Sequence, residues 1–84
     1  MPVVYMLWCN DGSLYTGWTN HLAKRLTAHN AGTGGKYTRS RLPVALAWYQ
    51  ECDDKISAMQ LEYKIKHKMT RKQKLALISK DKEL

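Results

Sequence analysis

Val3-Val4-Tyr5-Met6-Leu7-Trp8-Cys9, then Asn10-Asp11-Gly12, then Ser13-Leu14-Tyr15-Thr16-Gly17-Trp18 is the stretch on which the fold turns. Both arms are rich in β-branched and aromatic residues, and the triplet between them is a turn signal, so the spacing predicts a β-hairpin. With a three-residue loop and Gly12 in the left-handed conformation, Cys9 pairs with Ser13, Tyr5 with Gly17 and Leu7 with Tyr15. Both tyrosines then share one face. A two-residue Asp-Gly loop would send them to opposite faces, so the register decides whether they can cooperate.

Downstream of the hairpin, Thr19 or Asn20 can cap a helix from His21 to about Asn30. Leu22 and Leu26 form its apolar stripe, and Arg25 and His29 are neighbours one turn apart at the edge of that stripe. From Asn30 to Pro43 there is no period, only Gly32, Gly34, Gly35 and the basic residues Lys36, Arg39 and Arg41. A loop this long in a small domain is more often functional than idle, although its glycines are not spaced as a P-loop. Leu46 to Glu51 reads as a third strand entered through Pro43.

Asp54 is a candidate cap for a helix from Lys55 to about Lys68, with Ala58, Leu61, Ile65 and Met69 on one face. Glu62 falls within about 40° of the centre of that face, and a carboxylate so placed is costly unless something positive meets it. A salt bridge to Arg25 is one answer and a bound cation another. Thr70 and Gln73 make a capping box for a last helix through about Ser79, held to the core by Leu75 and Ile78. The expectation is a single α+β domain, residues 1–84, of a β-hairpin, a third strand and three helices.

The formal charge is +7 and unevenly spread. Five basic residues and no acid lie between Gly12 and Gln50, and Glu62 is the only acid among eight basics between Lys55 and Lys80. Two separate basic segments point to a polyanion, nucleic acid first, against the plain alternative of a solvated basic face. Cys9 and Cys52 are far apart and too few for a disulfide scaffold or zinc cage, so both read as buried apolar residues. Val3 to Cys9 is too short to span a membrane and carries no signal-peptide flanks; a cytoplasmic protein is expected.

Phosphodiester hydrolysis needs a base for water, a cation for the non-bridging oxygens and stabilisation of the leaving oxyanion. Tyr5, Arg25, His29 and Glu62 could supply those parts. Each also has a plain structural reading: a half-buried strand tyrosine, a surface arginine, a histidine at a helix C-terminus, a core salt bridge. Their conjunction carries the weight.

On these residues the chain resembles the GIY-YIG nucleases, over nearly its whole length. Val3-Val4-Tyr5 stands where the family has Gly-Ile-Tyr, Tyr15-Thr16-Gly17 where it has Tyr-Ile-Gly, Arg25 follows the second tyrosine by ten residues, and Glu62 lies on the later helix. It looks most similar to small stand-alone bacterial members. Two positions of the motif depart, Val3 for glycine and Thr16 for isoleucine, and no asparagine follows Glu62. Thr16 puts a hydroxyl where a core methyl is usual, on the face opposite Tyr15, so packing rather than chemistry should register it.

The resemblance implies a three-stranded antiparallel sheet flanked by three helices and a metal-dependent endonuclease acting on DNA more than RNA, linked to repair or recombination; with no appended DNA-reading domain expected, selectivity should be for structure. It implies one divalent ion, Mg²⁺ or Mn²⁺, held by Glu62 and water. It implies Arg25 on the scissile phosphate, Tyr5 on the water, and Tyr15 and His29 orienting phosphate and nucleophile. The base stays open between Tyr5 and His29: free tyrosine titrates near about 10 and histidine near about 6.5. Lys36, Arg39, Arg41, Lys64, Lys66, Lys68, Arg71 and Lys72 are expected to contact nucleic-acid backbone, and Tyr37 to stack on a base or anchor its loop. The rival readings are a binding module without turnover and a subunit needing a protein partner for substrate grip.

Overall fold

The hairpin forms in the three-residue register. Strands β1 (Val3–Trp8) and β2 (Leu14–Thr19) pair antiparallel with Tyr5 opposite Gly17 and Leu7 opposite Tyr15. Gly12 sits at φ 84°, the left-handed conformation the loop requires, while Asp11 Oδ1 accepts from the Ser13 amide and hydroxyl. The computed structural model describes residues 1–82, so the last two residues of the expected domain lie outside the described residues.

Strand β3 (Ala45–Glu51) pairs antiparallel with β1 on its other side, giving the order β2-β1-β3. Helix α1 (Leu22–Asn30) follows β2, and α3 (Lys55–Lys68) and α4 (Arg71–Lys82) follow β3. The α+β class and the antiparallel sheet are as the sequence indicates. A fourth, one-turn helix, α2 (Lys36–Arg39), lies inside the segment read as loop. Its four residues are too few to show helical periodicity, and Gly35 precedes them, so sequence patterning gives no sign of it.

Local capping explains the later helices well and the first one poorly. The Asp54 carboxylate accepts from the Ser57 amide, and Thr70 and Gln73 bond each other's amides reciprocally, the capping box. By contrast α1 starts one residue late, behind His21, with no side-chain cap. Thr19 still belongs to β2, and its hydroxyl accepts from the His21 amide in the turn between them.

Alternation along the strands divides the interior in two. Val4, Met6 and Trp48 meet Ala58 and Ile65 of α3 and Ile78 of α4 on one face, with Leu77 rather than Leu75 as the second contact from α4. Tyr5, Leu7, Cys9 and Val44 occupy the other, under Leu22 and Leu26 of α1. Cys9 and Cys52 are free and buried, as expected. Burying side chains of this size contributes about 1.5–3 kcal/mol each, so the first cluster secures the fold and leaves the second to carry polar groups. No helix among the described residues is long and apolar enough to cross a membrane.

Candidate active site

Tyr5 leaves the central strand beneath α1, and its phenol oxygen lies 2.9 Å from His29 Nε2. The histidine is fully buried. Its other nitrogen, Nδ1, is 2.8 Å from Thr38 Oγ1, and the Thr38 hydroxyl has the Gly35 carbonyl at 3.4 Å as an acceptor for its own proton. That chain fixes the tautomer: Thr38 accepts from Nδ1–H, and the Nε2 lone pair faces the Tyr5 hydroxyl, which donates. Sequence reasoning placed Tyr5 and His29 but missed Thr38. Only the unforeseen α2 turns Thr38 toward the imidazole.

Two glycines shape this cluster. A Cβ at Gly17 would stand 2.7 Å from the Tyr5 oxygen, so the phenol lies across β2 where a side chain is missing. At Gly34 a Cβ would collide with the His29 ring and backbone, and the Gly34 carbonyl accepts from the Arg25 guanidinium at 2.7 Å. Gly34 thereby orients both Arg25 and His29 of α1. Asn30 closes the same segment by bonding both the amide and the carbonyl of Val44. The run of three glycines was visible in sequence, but which one approached α1 was not.

Tyr15 packs edge-on to His29 with ring centroids 5.2 Å apart and stacks on Tyr37 at 5.9 Å. Helix α3 packs against β1 and β2. It serves both faces: Ile65 enters the first cluster, while Lys66 brings its ammonium within 5.8 Å of the Tyr15 ring centroid on the other. Glu62, one turn before Lys66, is half-buried, and no ion pair with a described residue reaches it. The salt bridge to Arg25 considered above is therefore not formed.

Electrostatics tie Arg25 and Glu62 to one oxygen. Burial pushes the Tyr5 phenol above its ordinary value of 10.0, the Arg25 guanidinium pulls it back, and the neighbouring Tyr15 and Glu62 add to the rise. Burial first, and the Arg25 charge second, hold His29 below its ordinary 6.5. Both groups are neutral at neutral pH.

Among the described residues no group of three or more His, Cys, Asp or Glu side chains gathers to hold a metal. Glu62 offers one carboxylate without a cationic partner. An ion bound there would keep most of its water shell, which suits Mg²⁺, a cation that dehydrates reluctantly. The donor set fits a hydrated hard cation.

The basic residues divide into two groups. Arg41 is committed to the structure: it bridges to Asp11 at 2.9 Å, donates to the Tyr37 carbonyl and lies 3.9 Å over the Tyr37 ring. Arg71 donates to the Gly12 carbonyl and so ties α4 to the hairpin loop. Lys36, Arg39, Lys64, Lys66, Lys68 and Lys72 are exposed.

This is a small α+β scaffold whose central strand and first helix join a tyrosine to a histidine, with Arg25 on that helix and Glu62 on α3. A model of the GIY-YIG catalytic domain matches residues 1–76. The chain belongs to that family, within the nuclease superfamily. It is 57% identical over 79 residues to the UPF0213 protein CPE1444 of Clostridium perfringens, covering 94% of this chain and 84% of the relative. It is 52% identical to the UPF0213 protein YsiG of Lactococcus lactis, covering 92% and 74%. Two solution NMR structures are similar. The UPF0213 protein BH0048 from Bacillus halodurans matches at 42% identity and TM-score 0.60, covering 94% of this chain and 84% of that one. Protein EF2693 from E. faecalis matches at 38% identity and TM-score 0.64, covering 98% and 86%.

Proposed function

We propose that this protein is a divalent-metal-dependent endonuclease that hydrolyses DNA phosphodiester bonds, selects its substrate by structure, and serves repair or recombination in the cytoplasm. The carrying observation is the Tyr5 phenol, hydrogen-bonded at 2.9 Å to a buried histidine on the helix that also carries Arg25.

In this reading Tyr5 takes a proton from the attacking water and passes its own to His29 Nε2. The water oxygen forms the new bond to phosphorus, the bond to the leaving sugar oxygen breaks, and that oxygen takes up a proton from solvent. Neither group is a strong base when free: the phenol holds its proton, and the imidazole resists one first because it is buried and second because the Arg25 charge lies nearby. Substrate changes that balance. A phosphate on Arg25 neutralises the charge that depresses His29, so the acceptor strengthens when DNA is bound. Tyr15 and Lys66 flank the same face and orient the backbone. Glu62 would hold Mg²⁺ or Mn²⁺, which as a Lewis acid stabilises negative charge on the phosphate. The exposed Lys36, Arg39, Lys64, Lys68 and Lys72 supply backbone affinity without base specificity.

The test is incubation with nicked, flapped, branched and linear DNA, and with RNA, in Mg²⁺ or Mn²⁺, beside Glu62→Ala and Arg25→Ala. Cleavage lost in both variants, with circular dichroism showing intact folds, is the expected result. Binding without cleavage in either metal would instead identify a nucleic-acid-binding module. Cleavage that appears only with cell extract would identify a subunit that needs a protein partner.

A further inference from the structure

Helix α3 is apolar on two opposite sides. Ala58, Leu61, Ile65 and Met69 face the sheet, yet Ile56 is 68% exposed, Met59 47% and Tyr63 55%. At about 100° per residue these three fall on the side opposite Ala58, with Gln60 and His67 among them. The Tyr63 and His67 rings pack together with centroids 4.6 Å apart, extending the stripe over three turns. A helix apolar all round is normally covered all round. Scattered exposed apolar residues need no explanation, but a continuous stripe along one helix does.

We infer that the outer face of α3 is a self-association surface on which a second copy of this chain packs antiparallel, α3 against α3. Charge decides both the orientation and the partner. The helix is acidic just before its start, at Asp53 and Asp54, and basic at its end, at Lys64, Lys66, His67 and Lys68. Parallel packing would set like ends together. Antiparallel packing sets each acidic end against the partner's basic end, twice by symmetry, and opposes the two helix dipoles.

The stripe is also self-complementary in that direction. With Met59 and Gln60 at the two-fold axis, Ile56 of each copy meets Tyr63 of the other. In that arrangement Asp53, just ahead of the helix, is brought toward Lys64 in the basic C-terminal half of the partner's helix. The lysines of the other flank are drawn toward the sheet: Lys55 lies 5.8 Å from the Trp18 ring and Lys66 5.8 Å from the Tyr15 ring. That flank is thereby relieved of like-charge contact. A helix of 14 residues is about 21 Å long, shorter than a standard stable interface needs, so the association is reversible and concentration-dependent.

Sedimentation equilibrium of the full chain over a wide concentration range tests this. The expected result is a monomer–dimer equilibrium that Tyr63→Glu weakens at least tenfold without lowering the melting temperature, since Tyr63 is exposed. Asp53→Lys and Lys64→Glu should each weaken it, and the double variant Asp53→Lys/Lys64→Glu should restore it. A strict monomer at all concentrations overturns the proposal, as does a dimer indifferent to Tyr63→Glu. A dimer that the double variant fails to restore refutes the antiparallel arrangement, and a stripe that takes up only a different protein refutes self-association.

Discussion

Replacing Gly17 with alanine asks whether the position of the Tyr5 phenol governs the chemistry. The added Cβ would stand 2.7 Å from the Tyr5 oxygen, 2.9 Å from its Cζ and 3.2 Å from Tyr15 Cε2. Carbon–oxygen contacts ordinarily begin near about 3.3 Å, so the phenol must recede by roughly 0.6 Å. Its hydrogen bond to His29 is 2.9 Å long, and a displacement of that size carries it to the edge of the bonding range. Losing the bond costs about 1 kcal/mol and the crowding about 1–3 kcal/mol more, so the melting temperature should fall by about 10–30 °C. A misplacement of about 1 Å can cost roughly a hundredfold in rate, so cleavage should drop at least about tenfold. Initial rates on a preferred branched or nicked substrate, measured well below the melting temperature, give the readout. Tyr5→Phe serves as the reference: placing Gly17→Ala on it should cost little further activity, because the oxygen being displaced is already gone. Wild-type turnover from a folded Gly17→Ala protein would refute the reasoning, and so would independent, multiplying losses in the double variant.

Thr16 Oγ1 is the one buried side-chain polar atom among the described residues with no hydrogen-bond partner. Thr16→Val keeps the shape and removes the orphan hydroxyl, so stability should rise by about 1–2 kcal/mol, visible as a higher urea midpoint with cleavage unchanged. His29 stays neutral in the folded protein below its ordinary 6.5, whereas the unfolded chain takes up that proton. Stability from this residue is therefore intact above about pH 6.5 and lost as pH falls toward the folded value; urea midpoints at about pH 7.5 and 5.5 should show a fall that His29→Gln lessens. Cleavage should show an acid limb in the same window, because a protonated Nε2 cannot accept from Tyr5. Asn30→Ala leaves the Val44 amide and carbonyl unpaired, and thermal melting should register a loss of about 2 kcal/mol.

The hairpin was legible because its register follows from loop chemistry alone: Gly12 supplies the positive φ, and everything else follows from period-two alternation. The caps of α3 and α4 were legible for the same reason, each being a contact within three residues. The geometry of the candidate site was half legible. Tyr5, Arg25 and His29 stand out by type and spacing, but Thr38 and Gly34 act through an approach between segments that no local pattern encodes. Arg41 shows the opposite limit. Charge made it a candidate for nucleic-acid backbone, and its part in joining the hairpin loop to Tyr37 is visible only in the fold.

The placement of Thr16 and Tyr5 explains how one small sheet can tolerate a departure in its motif. Tyr5 and Thr16 sit on neighbouring strands but point to opposite faces, because Tyr5 pairs with Gly17 and Thr16 with Met6. The hydroxyl of Thr16 therefore charges its cost to the packing under α3 and α4, where several large apolar side chains are buried and a deficit of about 1–3 kcal/mol can be absorbed. The same hydroxyl on the Tyr5 face would compete for the proton that the phenol shares with His29. A strand with period two thus separates stability from chemistry by one residue. If Thr16→Val altered cleavage as much as Gly17→Ala does, that separation of faces, and the assignment of the site to the Tyr5 side, would both fail.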